Sequence, residues 1–201
     1  QWTVEKMKTL QTASVNTRWS NIKPYLNNAL NAKTLNQTEQ KALRYLNEWD
    51  GVYDGGSVAA SVFERFYFHV FQGLYLDEVG EDLLSKFIKN GISDNSLYGL
   101  LQNPNALWWD RIDTDEVETQ QDVLMNAFLS AVQSLNQELG ADVANWHWKD
   151  TAGLTHPHPL GKVWPLNKLF NVGDYVVNGS KRALNNMIHT LTDDTIKITN
   201  G

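Results

Sequence analysis

The feature that most constrains the fold is the apolar run VAASVFERFYFHVF at residues 58–71. Ser57 stands directly before it, and a serine hydroxyl at that position commonly accepts a hydrogen bond from a free amide of the first helical turn. Apolar residues occupy almost the whole circumference of the run instead of one stripe, and such a helix is buried on most of its faces. The sequence therefore predicts a helix over 57–71 at the centre of the domain.

The segments before this run carry apolar residues about every 3.6 positions, which predicts further helices. One is expected from Thr3 onward and a second from Pro24, since proline suits the first turn of a helix, and the two should form an angled pair. A third opens at Asn36, where Asn36 and Glu39 resemble a capping box, and ends at Gly51. The positions on the helical spacing are Val4, Met7, Leu10, Ser14 and Val15, then Tyr25, Leu26, Ala29 and Leu30, then Ala42, Leu43, Leu46 and Trp49.

After the central run, EDLLSKFIKN at 81–90 predicts a shorter helix that ends at Gly91, followed by a loop-rich stretch through Asn103-Pro104. The most regular helix is expected from Asp115 to a C-terminal cap at Gly140. Its stripe consists of Val117, Leu124, Phe128, Ala131, Leu135 and Leu139.

Beyond Gly140 the helical pattern ends, and turn residues, prolines and short β-like runs such as YVVNG take its place. With no repeat and no low-complexity linker, this tail is expected to pack on the helices instead of forming a separate domain. The predicted fold class is mainly α, as one domain with a helical region at 1–140 and a loop and short-strand tail at 141–201.

Composition excludes several function classes. The chain has 201 residues, with 17 Lys plus Arg against 23 Asp plus Glu and a net charge of -6, and it shows no clustered basic face for nucleic acid. No stretch of about 18 apolar residues appears, so no membrane span is predicted. The absence of cysteine excludes a disulfide framework, a thiolate nucleophile and Cys-ligated zinc, but leaves the compartment open.

The two ends of the sequence look like interior positions. Residue 1 is Gln, and a helical pattern starts at once without a signal segment. The last residues, DTIKITNG, alternate like a strand and stop at Asn200-Gly201, a hairpin turn that normally leads into a partner strand. A processed mature chain explains the start but not the end, so we expect an excised piece. Its final strand should then lack neighbours and expose unpaired backbone groups.

The segment WHWKDTAGLTHPHPLG at 146–161 is the first candidate for chemistry. His156 and His158 would project to the same side of an extended segment, as two metal ligands must. A zinc site normally has three or four protein ligands, and Asp150 is the nearest carboxylate. The segment is therefore interpreted as structural and no metal site is predicted. The lone histidines His69 and His189 are likewise interpreted as packing or hydrogen-bonding residues.

The acidic run RIDTDEVET at 111–119 is the second candidate. It lacks the glycine and the terminal bidentate glutamate of a calcium-binding EF-hand loop. Its carboxylates are instead expected to cap the start of the long helix. Asp54-Gly55-Gly56-Ser57 matches no phosphate-binding or nucleophile motif. The sequence thus yields no catalytic, cofactor-binding or metal-binding residue.

Six segments, taken in their order along the chain, nevertheless form a recognisable pattern. They are WTVEKMKTLQ (2–11), ALRYLNEWDG (42–51), GGSVAASVFERF (55–66), the run from WWDRID to NQELG (108–140), WHWKDTAGLTHPHPLG (146–161) and LFNVGDYVVNG (169–179). Together they resemble the penicillin acylase (penicillin amidase) family over nearly the whole chain. The long helix ending in LG, followed by W-x-W and H-P-L-G, is the most specific part. The chain departs from the family pattern at three positions, with Lys149 in place of a common Gly, Ala152 in place of a His and Ala13 in place of an Asp. These differences affect local hydrogen bonds more than they affect membership of the family.

The resemblance implies an N-terminal-nucleophile hydrolase with an αββα core, made as a precursor, cut into two chains, and hydrolysing an amide to free an acyl group. In this family a serine acts as nucleophile and its own α-amino group as base. Gln1 cannot take this role, and the nucleophilic Ser, the oxyanion-hole Asn and the nearby Arg all map upstream of residue 1. The present chain would be the helical middle of the β chain, with the 146–161 segment, filled by Trp and Pro, leading back to the sandwich.

The implied partners are the α chain and the rest of the β chain of the parent acylase, with a small-molecule amide as the parent's substrate and no cofactor. That amide could be penicillin-like, a cephalosporin side chain or an acyl-homoserine lactone, and the parent's expected location is periplasmic or extracellular. The alternative is a helical binding module in which some of the eight Trp form a platform for a sugar or peptide. Either way, Phe63, Phe66 and Val70 should be buried together with Leu124, Phe128 and Leu135.

Overall fold

The computed structural model describes residues 2–89, 93–156, 158–181, 183–185, 188–190 and 196–200. The architecture is mainly helical, as predicted, with a small sheet in the C-terminal part. The α-helices are α1 Val4–Gln11, α2 Arg18–Leu30, α3 Gln37–Glu48, α4 Val58–Lys89, α5 Ser93–Leu101, α6 Gln120–Leu139, α7 Trp148–Thr151 and α8 Asn167–Phe170. Short 3-10 turns lie at Leu107–Trp109, Val143–Asn145 and Pro159–Lys162, and the strands are β1 Ala152–His156, β2 Val172–Val176, β3 Ile188–Thr190 and β4 Ile196–Asn200.

The core forms around α4, and α6 packs along it. Ser57 caps α4 as predicted, because its hydroxyl accepts the Ala60 N–H at 3.2 Å. The residues expected to share the core are all fully buried, which confirms the prediction: Phe63, Phe66, Val70, Leu124, Phe128 and Leu135. Large-to-small changes at such buried positions commonly cost about 2–5 kcal/mol, so this contact stabilises the fold substantially.

Helix α4 is longer than the sequence pattern indicated. The prediction that the central helix ends at residue 71 is wrong, because Leu74 and Tyr75 are buried and continue the apolar face. The helix passes through a break at Gly80, whose φ of 72° only glycine adopts readily. The helix expected at 81–90 is confirmed as the helical segment that follows this break, and the predicted cap Gly91 lies outside the described residues.

Two helix boundaries in the first 51 residues also differ from the prediction. Helix α2 begins at Arg18 and not at Pro24, because Trp19 and Ile22, which precede Pro24, are already buried in the helix. That burial outweighs the hydrogen bond that Pro24 cannot donate. Helix α3 has the predicted capping box, with Asn36 Oδ1 accepting the Glu39 N–H at 3.0 Å and the Glu39 carboxylate accepting the Asn36 N–H at 2.7 Å. It ends at Glu48, however, so Gly51 is not its cap.

Helix α1 forms as predicted, but none of its residues is buried, so the expectation that it packs around the central helix is wrong. The stretch expected to be a loop before Asn103-Pro104 contains α5, which buries Leu97 and Leu101. The sequence did not predict this helix because its apolar pattern is short and contains Gly99, a weak helix former.

The long helix begins at Gln120 and not at Asp115, so the acidic run does not start it. Val117, expected in the buried stripe, is 81% exposed. The true cap is Thr119, whose side chain accepts the Asp122 N–H while the Asp122 carboxylate accepts the Thr119 N–H. Gly140 lies at the C-terminal cap with a φ of 88°, as predicted.

The tail contains the short strands that its pattern indicated, in the sheet order β2-β1-β4-β3. Strand β1 pairs antiparallel with β2 and parallel with β4, and β4 pairs antiparallel with β3. The prediction that the final strand has lost its neighbours is therefore wrong, because β4 is paired on both sides. Within the described part of the chain, no helix combines the length and the hydropathy needed to span a bilayer.

Candidate functional site

The segment with the paired tryptophans joins the helices to the sheet. Trp146 and Trp148 are fully buried, and the Trp146 indole donates to the Gly140 carbonyl at 2.8 Å. The Trp148 N–H donates to the Ser57 carbonyl at 3.1 Å, directly before α4. The two Trp therefore fill the joint as predicted, whereas Pro159 is exposed and Pro157 lies outside the described residues.

His158 of this segment makes local contacts. His158 Nδ1 accepts the Leu160 N–H at 3.2 Å, and the ring stacks on Phe170 at 5.3 Å between centroids. The side chains of His156 and His189 lie outside the described part of the structure. Among the described residues, no three histidine or carboxylate side chains come together as metal ligands.

A buried ionic cluster lies beside the central helix, and the sequence analysis did not find it. Glu64 on α4 is fully buried; its carboxylate forms an ion pair with Arg18 and accepts the Tyr53 hydroxyl at 2.5 Å. The Arg18 guanidinium also lies over the Tyr67 ring at 4.6 Å from its centroid, and Tyr67 donates to Asp94. These five residues are called the Arg18 cluster.

Each charge in the Arg18 cluster is compensated locally. Burial lowers the Arg18 pKa, but the surrounding groups, with Glu64 first among them, together outweigh this effect and raise the pKa well above its usual value. Burial and the Glu64 charge raise the pKa of Tyr53, so its hydroxyl stays protonated and can donate. Paired buried charges with these partners suit a structural role, because none is left to act on a substrate.

The backbone around the Arg18 cluster joins segments that are distant in sequence. The Asn16 N–H donates to the Gly51 carbonyl at 2.9 Å, and the Asn16 side-chain amide donates to Ser180 Oγ at 2.9 Å. Tyr53 links the same segments, since its N–H donates to the Ser14 carbonyl and its carbonyl accepts the Gly179 N–H. The start of α2, the segment before α4 and the tail therefore form one joint.

One serine contacts a histidine in a way that calls for a test against nucleophilic catalysis. His69 Nε2 lies 3.1 Å from Ser134 Oγ, and His69 Nδ1 lies 2.7 Å from Gln72 Oε1. Ser134 Oγ also lies 2.8 Å from the Ser130 carbonyl, to which it donates, so the histidine competes with a helix carbonyl for the serine proton. Ser134 also lies mid-helix, where neighbouring backbone N–H groups are bonded within the helix and cannot form an oxyanion hole. His69 forms side-chain hydrogen bonds as predicted, and its structural role stays a prediction.

The acidic run is a loop held by hydrogen bonds from its backbone amides to carboxylates within and outside the run. Asp110 accepts the Glu118 N–H at 3.0 Å, Glu118 accepts the Arg111 N–H at 3.1 Å, and Asp77 on α4 accepts the Ile112 N–H at 2.8 Å. Burial, together with the hydrogen bond and charge of Asp77, raises the pKa of Glu78 to about 7. The run thus stabilises a turn over α4, and not the first turn of α6.

These sites hold structure together, and the family of the chain is decided by comparison with known proteins. The model of the penicillin amidase family matches residues 1–201. The chain belongs to the penicillin amidase family. The resemblance inferred from its segments is confirmed.

Two curated relatives of this penicillin amidase family chain are acyl-homoserine lactone acylases named QuiP. The one from Pseudomonas fluorescens is 29% identical over 114 residues, which is 54% of this chain and 14% of the relative. The one from Pseudomonas syringae pv. syringae is 24% identical over 141 residues, which is 68% of this chain and 17% of the relative. The chain therefore spans less than a fifth of the length of either relative.

Proposed function

We propose that this chain is the helical segment of a penicillin amidase-type acylase that hydrolyses a linear amide and releases an acyl group. The observation that carries the proposal is the family match over residues 1–201. The two relatives, both acyl-homoserine lactone acylases, support the same reaction class. An acyl-homoserine lactone, a penicillin-like amide and a cephalosporin side chain are the substrate classes to compare.

The chain's own part in this reaction is to supply a rigid body and not the reacting groups. Ser134, which meets a histidine in the described part of the chain, donates to a helix carbonyl and lacks oxyanion donors. An N-terminal nucleophile must be the first residue of its chain, so it comes from another part of the acylase. The proposed partners are the α chain and the rest of the β chain, and the proposed location of the acylase is the periplasm or the extracellular space.

The test compares the isolated chain with the full-length acylase that contains it. Both are incubated with phenylacetyl amides and with acyl-homoserine lactones of short and long chain, and the released amine is measured. The full-length protein should release amine and the isolated chain should not exceed a heat-treated control. Turnover by the isolated chain that follows its purification, or a full-length protein inert toward every amide, would overturn the proposal.

A further inference from the structure

A cavity of about 600 Å³ lies away from the Arg18 cluster, between the second half of α4, helix α5 and the 3-10 turn at Leu107–Trp109. Its volume falls within the range of about 300–1,000 Å³ that is usual for small-molecule sites. The walls are formed mainly by apolar side chains, namely Tyr75, Val79, Leu83, Phe87, Leu100 and Trp108. A space of this size and lining suits a hydrocarbon ligand.

The walls are fixed before any ligand binds. The Tyr75 ring packs edge to face against Phe87 and against Trp108, each at 5.2 Å between ring centroids. The Tyr75 hydroxyl donates to Ser96 Oγ at 3.0 Å and so links α4 to α5 across the cavity. A ring held by two aromatic neighbours and a hydrogen bond loses little freedom on binding, which favours affinity.

The chemistry of the lining selects an uncharged occupant. No Asp, Glu, Lys, Arg or His stands among the described lining residues, and the polar pair Tyr75 and Ser96 is already hydrogen-bonded. A charged group would lose its hydration here without a counter-charge, whereas an alkyl chain would gain by leaving water. The cavity is also open where Gly99 lines it, because a Cβ added there meets nothing within 4 Å.

We propose that this cavity binds one small, uncharged molecule with a straight alkyl chain. The alkyl chain lies against the Tyr75 and Trp108 rings and fills the cavity, whose rim includes Leu83, 56% exposed. Binding needs no catalytic residue, so it is independent of the amide hydrolysis proposed above. A second copy of the chain on this surface is the competing occupant, and sedimentation distinguishes it from the small molecule.

The test titrates 1-decanol into the isotope-labelled chain and follows the Trp108 indole N–H signal by NMR, assigned with Trp108→Phe. Saturable shifts of this signal are expected, and Gly99→Leu, which fills the cavity, should weaken binding at least about tenfold. The matched control Gln137→Leu adds the same side chain on the exposed face of α6 and should leave binding unchanged. Decanoate at pH 8 should bind far more weakly than the alcohol.

A second variant covers the case in which Gly99→Leu does not fold. Leu83→Glu places a carboxylate at the exposed rim and should weaken decanol binding while leaving the circular dichroism spectrum unchanged. No saturable shift, or equal binding by wild type and both cavity variants, would overturn the proposal. So would sedimentation showing a dimer that protects Trp108 from the alcohol, since a second copy would then be the occupant.

Discussion

Removing one partner of the buried ion pair should be among the most damaging single changes to this chain. In Arg18→Met the apolar stem is kept and the charge is lost, so the fully buried Glu64 carboxylate loses its ion pair with Arg18. Leaving one charge of a buried pair uncompensated costs about 3–5 kcal/mol. That is a large part of the roughly 5–15 kcal/mol by which a typical domain is stable.

Two further variants separate the buried charge from general damage. Arg18→Met combined with Glu64→Leu removes both charges, and it should be more stable than Arg18→Met alone because no unpaired carboxylate remains. The control Arg111→Met breaks the ion pair with Asp113, in which the side chains are 29% and 53% exposed, and it should change stability by less than about 1 kcal/mol.

The assay is urea unfolding followed by tryptophan fluorescence and circular dichroism, with the midpoint and slope of each variant compared. The expected order of stability is wild type and Arg111→Met first, then the double variant, then Arg18→Met. A loss below about 1 kcal/mol in Arg18→Met, or a double variant less stable than Arg18→Met, would refute the reasoning that an unpaired buried carboxylate dominates.

Three other predictions follow from single sites. In urea unfolding, Gly51→Ala should lower stability by more than about 1 kcal/mol, because φ is 86° and the new Cβ would lie 2.4 Å from the Asn16 carbonyl oxygen. Gly99→Ala adds a Cβ in open space on a helix and should raise stability by about 0.4–1 kcal/mol. The reverse order of the two variants would contradict this prediction. Since the pKa of Glu78 is raised from 4.5 to about 7, its stabilising contribution is complete below pH 4.5 and is lost as pH rises through 7. Glu78→Gln should therefore gain stability relative to wild type between pH 5 and pH 8, and an equal difference at both pH values would argue against it. Elemental analysis of protein purified without a metal-affinity tag should find no stoichiometric zinc, because His158 Nδ1 already accepts a hydrogen bond from the Leu160 amide. Stoichiometric zinc that is lost when His156 and His158 are replaced by Ala would contradict this prediction.

The features that could be predicted from the sequence are those decided within a few residues. The capping box at Asn36 and Glu39, the serine cap at Ser57 and the glycine cap at Gly140 depend on neighbours one turn away. The central helix was also predictable, because a helix that is apolar on all sides is favourable only when it is buried in the core. The predicted core pairs of α4 and α6 followed from that location.

The features that could not be predicted depend on contacts between distant residues. Arg18 and Glu64 are 46 positions apart and Asn16 and Ser180 are 164 apart, so no local pattern indicates that they meet. The start of α2 was misplaced for a related reason: tertiary burial of Trp19 outweighs the local preference of proline for a first turn. Strand β4 pairs with β1, where Ala152 lies opposite Ile196, and pairing over such a distance cannot be seen from alternation alone.

The central claim is that this chain supports an acylase whose nucleophile lies elsewhere in the protein. The most direct test treats the full-length acylase with phenylmethanesulfonyl fluoride and locates the inactivating label by peptide mass spectrometry. The account predicts a single label on the N-terminal residue of a processed chain, outside these 201 residues. An inactivating label on a serine within them, with Ser134 beside His69 as the first to examine, would contradict it.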